Sequence, residues 1–483
     1  MNQWLTGLGR WVSSRERLAL VIFIGLVLSI HYSVTEFESP KKDALRYVDY
    51  AYTLSSHGTF GLSCNRSGSQ PCPGNANSPL YPAILALVSL ADHQLQGDFG
   101  CLVKANGVRP DCIIGLDKKV DEVDSTAGQC KYHYSSIIIL QYLFAGCSLL
   151  VIWLLANHIL VSHSQAWLAL VAALLSGILT KYAGRLLTEN LLILLFLLFQ
   201  YNLICLWRRQ TFFLFGVFGV LLALMTLTRP EYLYLAVILF AAVFMIAAIT
   251  KNKRIATQGI AASLIFICLL APWAVRNHHH FGSPALTGGN YGEIILSHRA
   301  AYNQMGVRQW LGSFIYWLPD FGDSMAKRVL PEAWYWQHID ERDGSFQDIA
   351  ETKISYVLGA DDGGSKGVGY LLRTEVLDHP LKHGLVSIPL IWRGAFIAKY
   401  WGIIGAFAYF LLLARCIKNR HWLLAVVSLP AWFLVVFHAA ISVNVPRYNL
   451  MLVGVYSLAW AWMLQHLYFR LTGRSNPKLQ LSS

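Results

Sequence analysis

The chain has 483 residues, of which 55% are hydrophobic and only 14% are charged, and its formal net charge is +12. Apolar runs of membrane-spanning length recur from one end to the other, which excludes an ordinary soluble protein and predicts an all-α polytopic membrane protein. The basic residues stand in short connections between these runs and form no basic face interleaved with aromatic residues. No nucleic-acid partner is therefore expected.

Ten membrane-spanning helices are predicted, because a span needs roughly 20 mostly apolar residues. They are expected near residues 17–34, 134–156, 165–182, 187–207, 211–228, 232–250, 257–275, 397–414, 422–440 and 449–468. The first run has no small-residue cleavage site after it, which predicts a retained helix and not a removed signal peptide.

Basic clusters mark four of the five cytoplasmic connections that the predicted spans imply, the exception being 157–164. With a cytoplasmic N-terminus, the cytoplasmic side receives the clusters at Arg208–Arg209, 251–254, 415–420 and 470–478. This distribution follows the positive-inside rule and predicts a multi-pass protein of a bacterial inner membrane, with the lipid bilayer as its first partner. Two large segments then lie outside, at about 35–133 and 276–396.

The predicted organisation is one membrane domain in five stretches. They are the cytoplasmic N-terminus with the first helix (1–34), the first periplasmic loop (35–133), helices two to seven (134–275), the second periplasmic segment (276–396), and helices eight to ten with a cytoplasmic tail (397–483).

Two short helices are predicted in the first external loop. Pro40, in a first turn after Ser39, begins an amphipathic helix whose apolar residues recur at helical spacing, and we expect it to lie along the outer membrane surface. Ser78 and Pro79 begin a second helix over 77–90, which at 14 residues is too short to span a bilayer.

Five of the nine cysteines fall in the same external loop, namely Cys64, Cys72, Cys101, Cys112 and Cys130. Their location predicts disulfides in an oxidising compartment such as a periplasm. Cys64–Cys72 and Cys101–Cys112 are candidate pairs, but an odd number leaves the connectivity open. The spacing fits no zinc template, so no metal ligand is predicted, and the sequence does not indicate a divalent cation as cofactor.

Eight charged residues lie at the outer ends of the predicted spans: Asp43, Lys181, Arg185, Glu189, Arg229, Glu231, Arg276 and Arg447. Taken singly, each has a structural explanation: an acid in a first helical turn complements the helix dipole, and an arginine at the interface anchors a span. The positive-inside rule nevertheless predicts few cations on this side. Five cations and three carboxylates together therefore favour a functional site for an anionic ligand.

The ordered segments "DALRYVDYAYTLSSHGTFG", "NSPLYPAILAL", "LLTENLLILLFLL", "GVLLALMTLTRPEYLYL", "PWAVRNHHHFGSP" and "PRYNLML" resemble landmarks of bacterial GT-C glycosyltransferases, over about residues 18–455. The resemblance is to the family of the protein O-mannosyltransferases and the aminoarabinose transferase of lipid A. It implies a GT-C-type fold and an enzyme that moves a sugar from a polyprenyl-phosphate donor to an envelope acceptor outside the membrane, with inversion. The acceptor is left open as a glycan, lipopolysaccharide or a protein such as pilin.

The resemblance assigns the role of catalytic base to Asp43, although relatives often show an adjacent acidic pair and here Lys42 and Ala44 flank it. Asp49, six residues on and near the opposite helix face, is the weaker candidate. The predicted phosphate-binding cations are Arg229, Arg276 and Arg447, followed by Lys181 and Arg185. Residues predicted to orient those cations or contact the sugar are Glu189, Glu231 and Tyr47.

Two other classes of function are open to such a chain. A transporter or flippase of a lipid-linked or anionic substrate is expected to carry ionisable groups near the bilayer midplane and often repeated halves. Here the ionisable groups cluster at the outer ends and the halves are unlike. A structural or assembly subunit would tolerate loss of the outer arginines.

Overall fold

The structure is a computed structural model that describes residues 14–35, 40–41, 43–63, 71–105, 134–160, 162–329, 345–359 and 366–473. Within these ranges the regular secondary structure is helical apart from two three-residue strands. The strands Gly61–Ser63 (β1) and Pro71–Pro73 (β2) form an antiparallel hairpin in which Leu62 lies opposite Cys72.

The helices are numbered in chain order. They are α1 (Ser14–Val34), α2 (Asp43–His57), α3 (Leu80–Ala91), α4 (His93–Ala105), α5 (Ser135–Ile159), α6 (His163–Leu175), α7 (Ile178–Ala183), α8 (Glu189–Arg208), α9 (Phe212–Thr228), α10 (Tyr232–Ile249), α11 (Lys253–Phe281), α12 (Tyr291–Ala301), α13 (Val307–Tyr316), α14 (Gly322–Val329), α15 (Phe346–Val357), α16 (Gly367–Leu371), α17 (Pro380–Ala395), α18 (Tyr400–Lys418), α19 (Leu423–Ile441) and α20 (Leu452–Leu471). The 3₁₀ helices Tyr302–Gln304 and Pro446–Asn449 and the π-helical segment Leu372–Leu377 complete the described elements.

Seven helices of the described ranges are long and apolar enough to cross a membrane, namely α1, α5, α8, α10, α11, α18 and α19. The chain is therefore a multi-pass membrane protein, while the count of ten spans is not confirmed. Gly177, with a left-handed φ of 65°, divides the predicted span at 165–182 into α6 and α7. The helix α9 has 17 residues, and α20, which carries Gln465 and His466, is not among the seven.

Helix α8 is the central span of the structure. It packs against α5, α9 and α19, and most of its side chains are buried. By contrast, α1 and α10 leave large apolar side chains exposed, as expected of helices that face lipid. The first residue of this buried helix is the acidic Glu189, which therefore places a carboxylate at the end of the central span.

The segment between α1 and α5, which the sequence predicts to be the first external segment and which keeps that name below, is built on α2. This helix packs against α3, α4 and β1. The helix begins at Asp43, later than the predicted start near Pro40, and Ser39 lies outside the described residues. Asp49 is buried, and its Oδ1 accepts hydrogen bonds from the backbone N–H of Ser63 at 3.2 Å and from the Ser63 hydroxyl at 3.0 Å. Asp49 thus holds the hairpin against α2, in agreement with a structural role.

The described cysteines fall into two groups, disulfide-bonded and free. Cys72 and Cys101 of the first external segment are disulfide-bonded, whereas the cysteines in and beside the spans are free, namely Cys147, Cys205, Cys268 and Cys416. Cys64, Cys112 and Cys130 lie outside the described residues, so the predicted pairing stays a prediction.

A fully buried arginine joins the second external segment to the spans. The Nε of Arg299 donates to Ala439 O at 2.7 Å, Nη1 to Asn303 Oδ1 at 2.9 Å, and Nη2 to His383 O at 2.8 Å and Ser387 Oγ at 2.9 Å. Burial lowers the pKa of Arg299 to about 10, so the group is still a cation at neutral pH. One side chain therefore ties α12 to both α17 and α19.

Replacing Arg299 with Met should lower the free energy of unfolding by about 2–4 kcal/mol, because four buried acceptors lose their donor. Denaturant unfolding in detergent micelles measures the change. Arg373→Met, at an exposed arginine of the same segment, is the control and should change stability by less than about 0.5 kcal/mol. Equal stabilities of the two variants would contradict the assigned role.

Candidate active site

A single buried carboxylate brings two distant arginines together at one end of the helices. Glu189 is 2% exposed, and its Oε1 accepts from Arg229 Nη2 at 2.9 Å and from Arg447 Nε at 2.5 Å. Arg229 follows directly on α9, and Arg447 lies in the 3₁₀ turn before α20. Removing charges from water is costly unless they are paired, so Glu189 is the group that allows both guanidinium groups to stay here.

The open side of this cluster presents Arg447 and Asp43. Arg447 Nη2 lies 3.8 Å from Asp43 Oδ2, and the side chains are 36% and 51% exposed, respectively. Asp43 is the first residue of α2, whose apolar face is buried against α3 and α4. The helix therefore holds a solvent-accessible carboxylate beside a half-exposed cation.

The inner side of the cluster is held by Arg229 and the hydroxyl group of Thr188. Arg229 Nε donates to Thr188 Oγ1 at 3.2 Å. Tyr47 lies beside these groups, and its electrostatic neighbours include Arg229, Glu189 and Asp43. Arg229 Nη1 also lies 3.8 Å from Glu231 Oε1. Sequence reasoning missed Thr188, although its position directly before Glu189 was an available signal.

Charge pairing dominates the electrostatics of this cluster. Burial alone would lower the pKa of Arg229, but Glu189 and Glu231 outweigh it and raise that pKa. The pKa of Arg447 is likewise raised, since its interaction with Glu189 outweighs its burial. Burial raises the pKa of Tyr47 to about 12, so its hydroxyl stays protonated and able to donate at neutral pH.

Lys181 and Arg185 decide the net charge of the region. Asp43, Glu189, Glu231, Arg229 and Arg447 together carry a formal charge of −1, which would repel an anion. The exposed Lys181 lies over the ring of the neighbouring Tyr182, with Nζ 5.9 Å from its centroid. Tyr182 in turn interacts electrostatically with Glu189, Arg447, Arg185 and Arg229. With these two further cations the region reaches +1.

Arg276 belongs to a different set of contacts. Its Nη1 donates to Gly74 O at 2.8 Å, its Nη2 donates to Phe60 O, and its guanidinium carbon lies 4.9 Å from the centre of the Trp273 ring. Arg276 thus fastens the segment around the β-hairpin to α11. None of its described contacts reaches the Glu189 cluster, and the predicted phosphate-binding role of Arg276 gains no support from them.

A hydrogen bond between the two external segments also could not be predicted from the sequence. Arg46, three residues after Asp43, hydrogen-bonds the hydroxyl of Tyr291 at the start of α12. Nothing in the sequence connects two residues so far apart.

Among the described residues, no three or more His, Cys, Asp and Glu side chains are grouped so that they could hold a metal ion.

Comparisons with known proteins give no family model that matches the chain and no match among curated proteins. Among solved structures, the chain is similar to the archaeal oligosaccharyltransferase AglB from Archaeoglobus fulgidus in complex with an inhibitory peptide and a dolichol-phosphate, with 11% identity and a TM-score of 0.48. That match covers 98% of this chain and 53% of the other, so the chain spans about half the length of that relative.

A second A. fulgidus structure, tethered with an acceptor peptide, matches with 10% identity, a TM-score of 0.48 and coverages of 97% and 52%. ArnT from Cupriavidus metallidurans bound to undecaprenyl phosphate matches with 12% identity, a TM-score of 0.39 and coverages of 96% and 82%. All three matches have TM-scores below 0.5 and identities of 12% or less. We therefore base the functional proposal on the residues of this chain.

Replacing Glu189 with Gln should destabilise the protein by roughly 3 kcal/mol, because two partly buried guanidinium groups lose their shared counter-charge. Glu231→Gln is the matched control: Glu231 is 22% exposed and lies 3.8 Å from one arginine, so its loss should cost at most about 1 kcal/mol. Denaturant unfolding of both variants in the same detergent measures the difference. A Glu231 variant that is the less stable of the two would refute the central role of Glu189.

Proposed function

We propose that the chain is a membrane glycosyltransferase that moves a sugar from a polyprenyl-phosphate donor to an acceptor of the cell envelope. One observation carries the proposal: Asp43 and Arg447 stand 3.8 Å apart at the exposed side of a buried Arg–Glu–Arg cluster. A carboxylate that can accept a proton is thereby placed beside a cation that can bind a phosphate. The resemblance in sequence to GT-C glycosyltransferases implies the same pair of roles.

The donor phosphate is assigned to Arg447 and Arg229, with Lys181 and Arg185 supplying the excess positive charge. Arg447 has the more accessible guanidinium of the central pair, at 36% exposed against 13% for Arg229. Because Arg229 and Glu189 stand at the ends of α9 and α8, a phosphate bound there is at the depth where a lipid tail can enter the bilayer. Glu189, Glu231 and Tyr47 orient these cations or contact the sugar.

The reaction is a direct displacement at the anomeric carbon. A hydroxyl oxygen of the acceptor forms a bond to that carbon while the bond from the carbon to the phosphate oxygen breaks. The phosphate leaves with the bonding electron pair and gains negative charge, which the arginines stabilise. The hydroxyl proton passes to Asp43, because a positioned carboxylate makes a weak hydroxyl nucleophile more reactive. Inversion of the anomeric configuration is the expected outcome.

The proposed orientation places the site on the periplasmic side of a bacterial inner membrane. The disulfide-bonded Cys72 and Cys101 support an oxidising compartment for the first external segment. The basic residues at the opposite ends of the spans, such as Arg208 and Lys418, support a cytoplasmic location for those ends. The acceptor is an envelope glycan, a lipid or a protein such as pilin.

Transport of a lipid-linked substrate is the alternative function. A transporter is expected to carry ionisable groups near the middle of its spans. In this chain the ionisable groups of the cluster stand at helix ends or in a turn between helices, namely Asp43, Glu189, Arg229 and Arg447. This placement favours chemistry at the membrane surface.

Asp43→Asn should leave the fold intact and reduce kcat for glycosyl transfer by about 10²–10⁴-fold, because the acceptor hydroxyl loses its base. The purified protein in nanodiscs is supplied with polyprenyl-phosphate-sugar and envelope extract, and product is measured by mass spectrometry. Asp378→Asn, at an exposed acid of the second external segment, should retain full activity. Full activity of the Asp43 variant would refute the proposal that Asp43 is the catalytic base.

Arg447→Ala should instead raise the donor KM by roughly 10-fold or more, since a charge-assisted contact to phosphate is worth about 1.5–3 kcal/mol. The assay described for Asp43→Asn yields both kcat and the donor KM. If proteoliposomes containing the wild-type protein translocate the lipid-linked sugar and form no product, the transport alternative replaces the proposal.

A further inference from the structure

Two buried asparagines hold the turn that carries Arg447. Asn444 Nδ2 donates to Leu390 O at 2.8 Å and to Val435 O at 3.1 Å. Asn449 Nδ2 donates to Asn444 Oδ1 at 2.7 Å and to the carbonyl of Gly394 at 3.1 Å. We name these two side chains and their carbonyl partners the asparagine clasp. It joins the turn to α17 of the second external segment and to α19.

The clasp is also satisfied on its acceptor side. Because both hydrogens of the Asn449 amide point to oxygen atoms, its Oδ1 must accept, and the neighbouring His438 Nδ1 at 3.0 Å therefore carries the proton. Asn444 and Asn449 are 0% and 1% exposed. Buried polar groups with all partners present are rigid, because any displacement leaves several of them unpaired.

The backbone between the two asparagines is equally constrained. Asn444 has a left-handed φ of 46°, a conformation that asparagine adopts more readily than most residues. Pro446 then begins the 3₁₀ turn and fixes its own φ. Arg447 lies three residues after Asn444 and two residues before Asn449, so its Cα has little freedom to move.

We infer that the asparagine clasp positions Arg447 for the donor phosphate, and that Asn444 and Asn449 are positioning residues of the site. This inference rests on the proposed function. The side chain of Arg447 is held at one edge by Glu189 and is 36% exposed as a whole. A fixed backbone is then needed as well to keep the guanidinium where a phosphate is to bind, and misplacement of a binding group by about 1 Å can cost roughly 10²-fold in rate.

Gly394 offers a way to disturb the clasp without substituting either asparagine or Arg447. A Cβ at Gly394 would lie 2.6 Å from Asn444 Cγ and 2.7 Å from its Oδ1, so an alanine must push the amide aside. Gly384 lies in the same helix, and a Cβ there would meet no atom within 4 Å. Gly384→Ala is therefore a matched control for the effect of alanine on α17.

The experiment measures the Kd of undecaprenyl phosphate for the full-length protein in nanodiscs. Gly394→Ala should raise this Kd by roughly 10-fold or more, while Gly384→Ala should leave it unchanged. Introduced into an Arg447→Ala background, Gly394→Ala should have no further effect, because its influence passes through Arg447. A general loss of stability would instead weaken binding in both backgrounds.

Hydrogen exchange of residues 443–449 gives a second readout that needs no ligand. Exchange there should be several-fold faster in Gly394→Ala than in Gly384→Ala, because freeing the turn opens its backbone to solvent. Wild-type Kd and wild-type exchange in Gly394→Ala would overturn the inference, as would faster exchange with an unchanged Kd. If Gly394→Ala does not fold, Asn449→Ala is measured in its place against the same control. A wild-type protein that binds no undecaprenyl phosphate would instead overturn the proposed function.

Discussion

The carboxylate of Glu189 is the interaction on which the site depends. It lies at the start of the central span and accepts hydrogen bonds from two arginines that belong to other parts of the chain. Without it, the guanidinium groups of Arg229 and Arg447 would repel each other in a partly dry environment. One buried acid thus sets where α8, the end of α9 and the turn before α20 meet.

Exposure then separates structural from chemical roles within the cluster. Glu189 is 2% exposed and acts by holding the arginines together, and Arg229, at 13% exposed, offers less of its guanidinium to a ligand than Arg447 does. Arg447 and Asp43 are 36% and 51% exposed, and for this reason we propose them as the main phosphate-binding cation and the base. The centre carries more acids than arginines, so we propose that an anion also needs Lys181, in α7, and Arg185, between α7 and α8.

The segments between the spans are attached to the spans by buried or half-buried polar donors and not by apolar packing alone. Arg276 fastens the first segment to α11, Arg299 fastens the second to α17 and α19, and the asparagine clasp connects α17 to the turn of Arg447. Each donor would be left unsatisfied if its segment shifted, and an unsatisfied buried polar group costs about 1–3 kcal/mol.

The sequence by itself determined the helical, multi-pass class of this protein and the presence of charged residues at helix ends, because length and apolarity act locally along the chain. It did not settle the span count, since a left-handed glycine at 177 divides one apolar run. It also could not separate Arg276 from Arg229, because both are arginines at the end of an apolar helix. Only the tertiary structure decided which of them meets Glu189, and only it revealed Thr188, Tyr291 and the asparagine clasp. The reason is physical: whether a charge or an amide is paired depends on contacts between residues tens to hundreds of positions apart, and no local pattern records them.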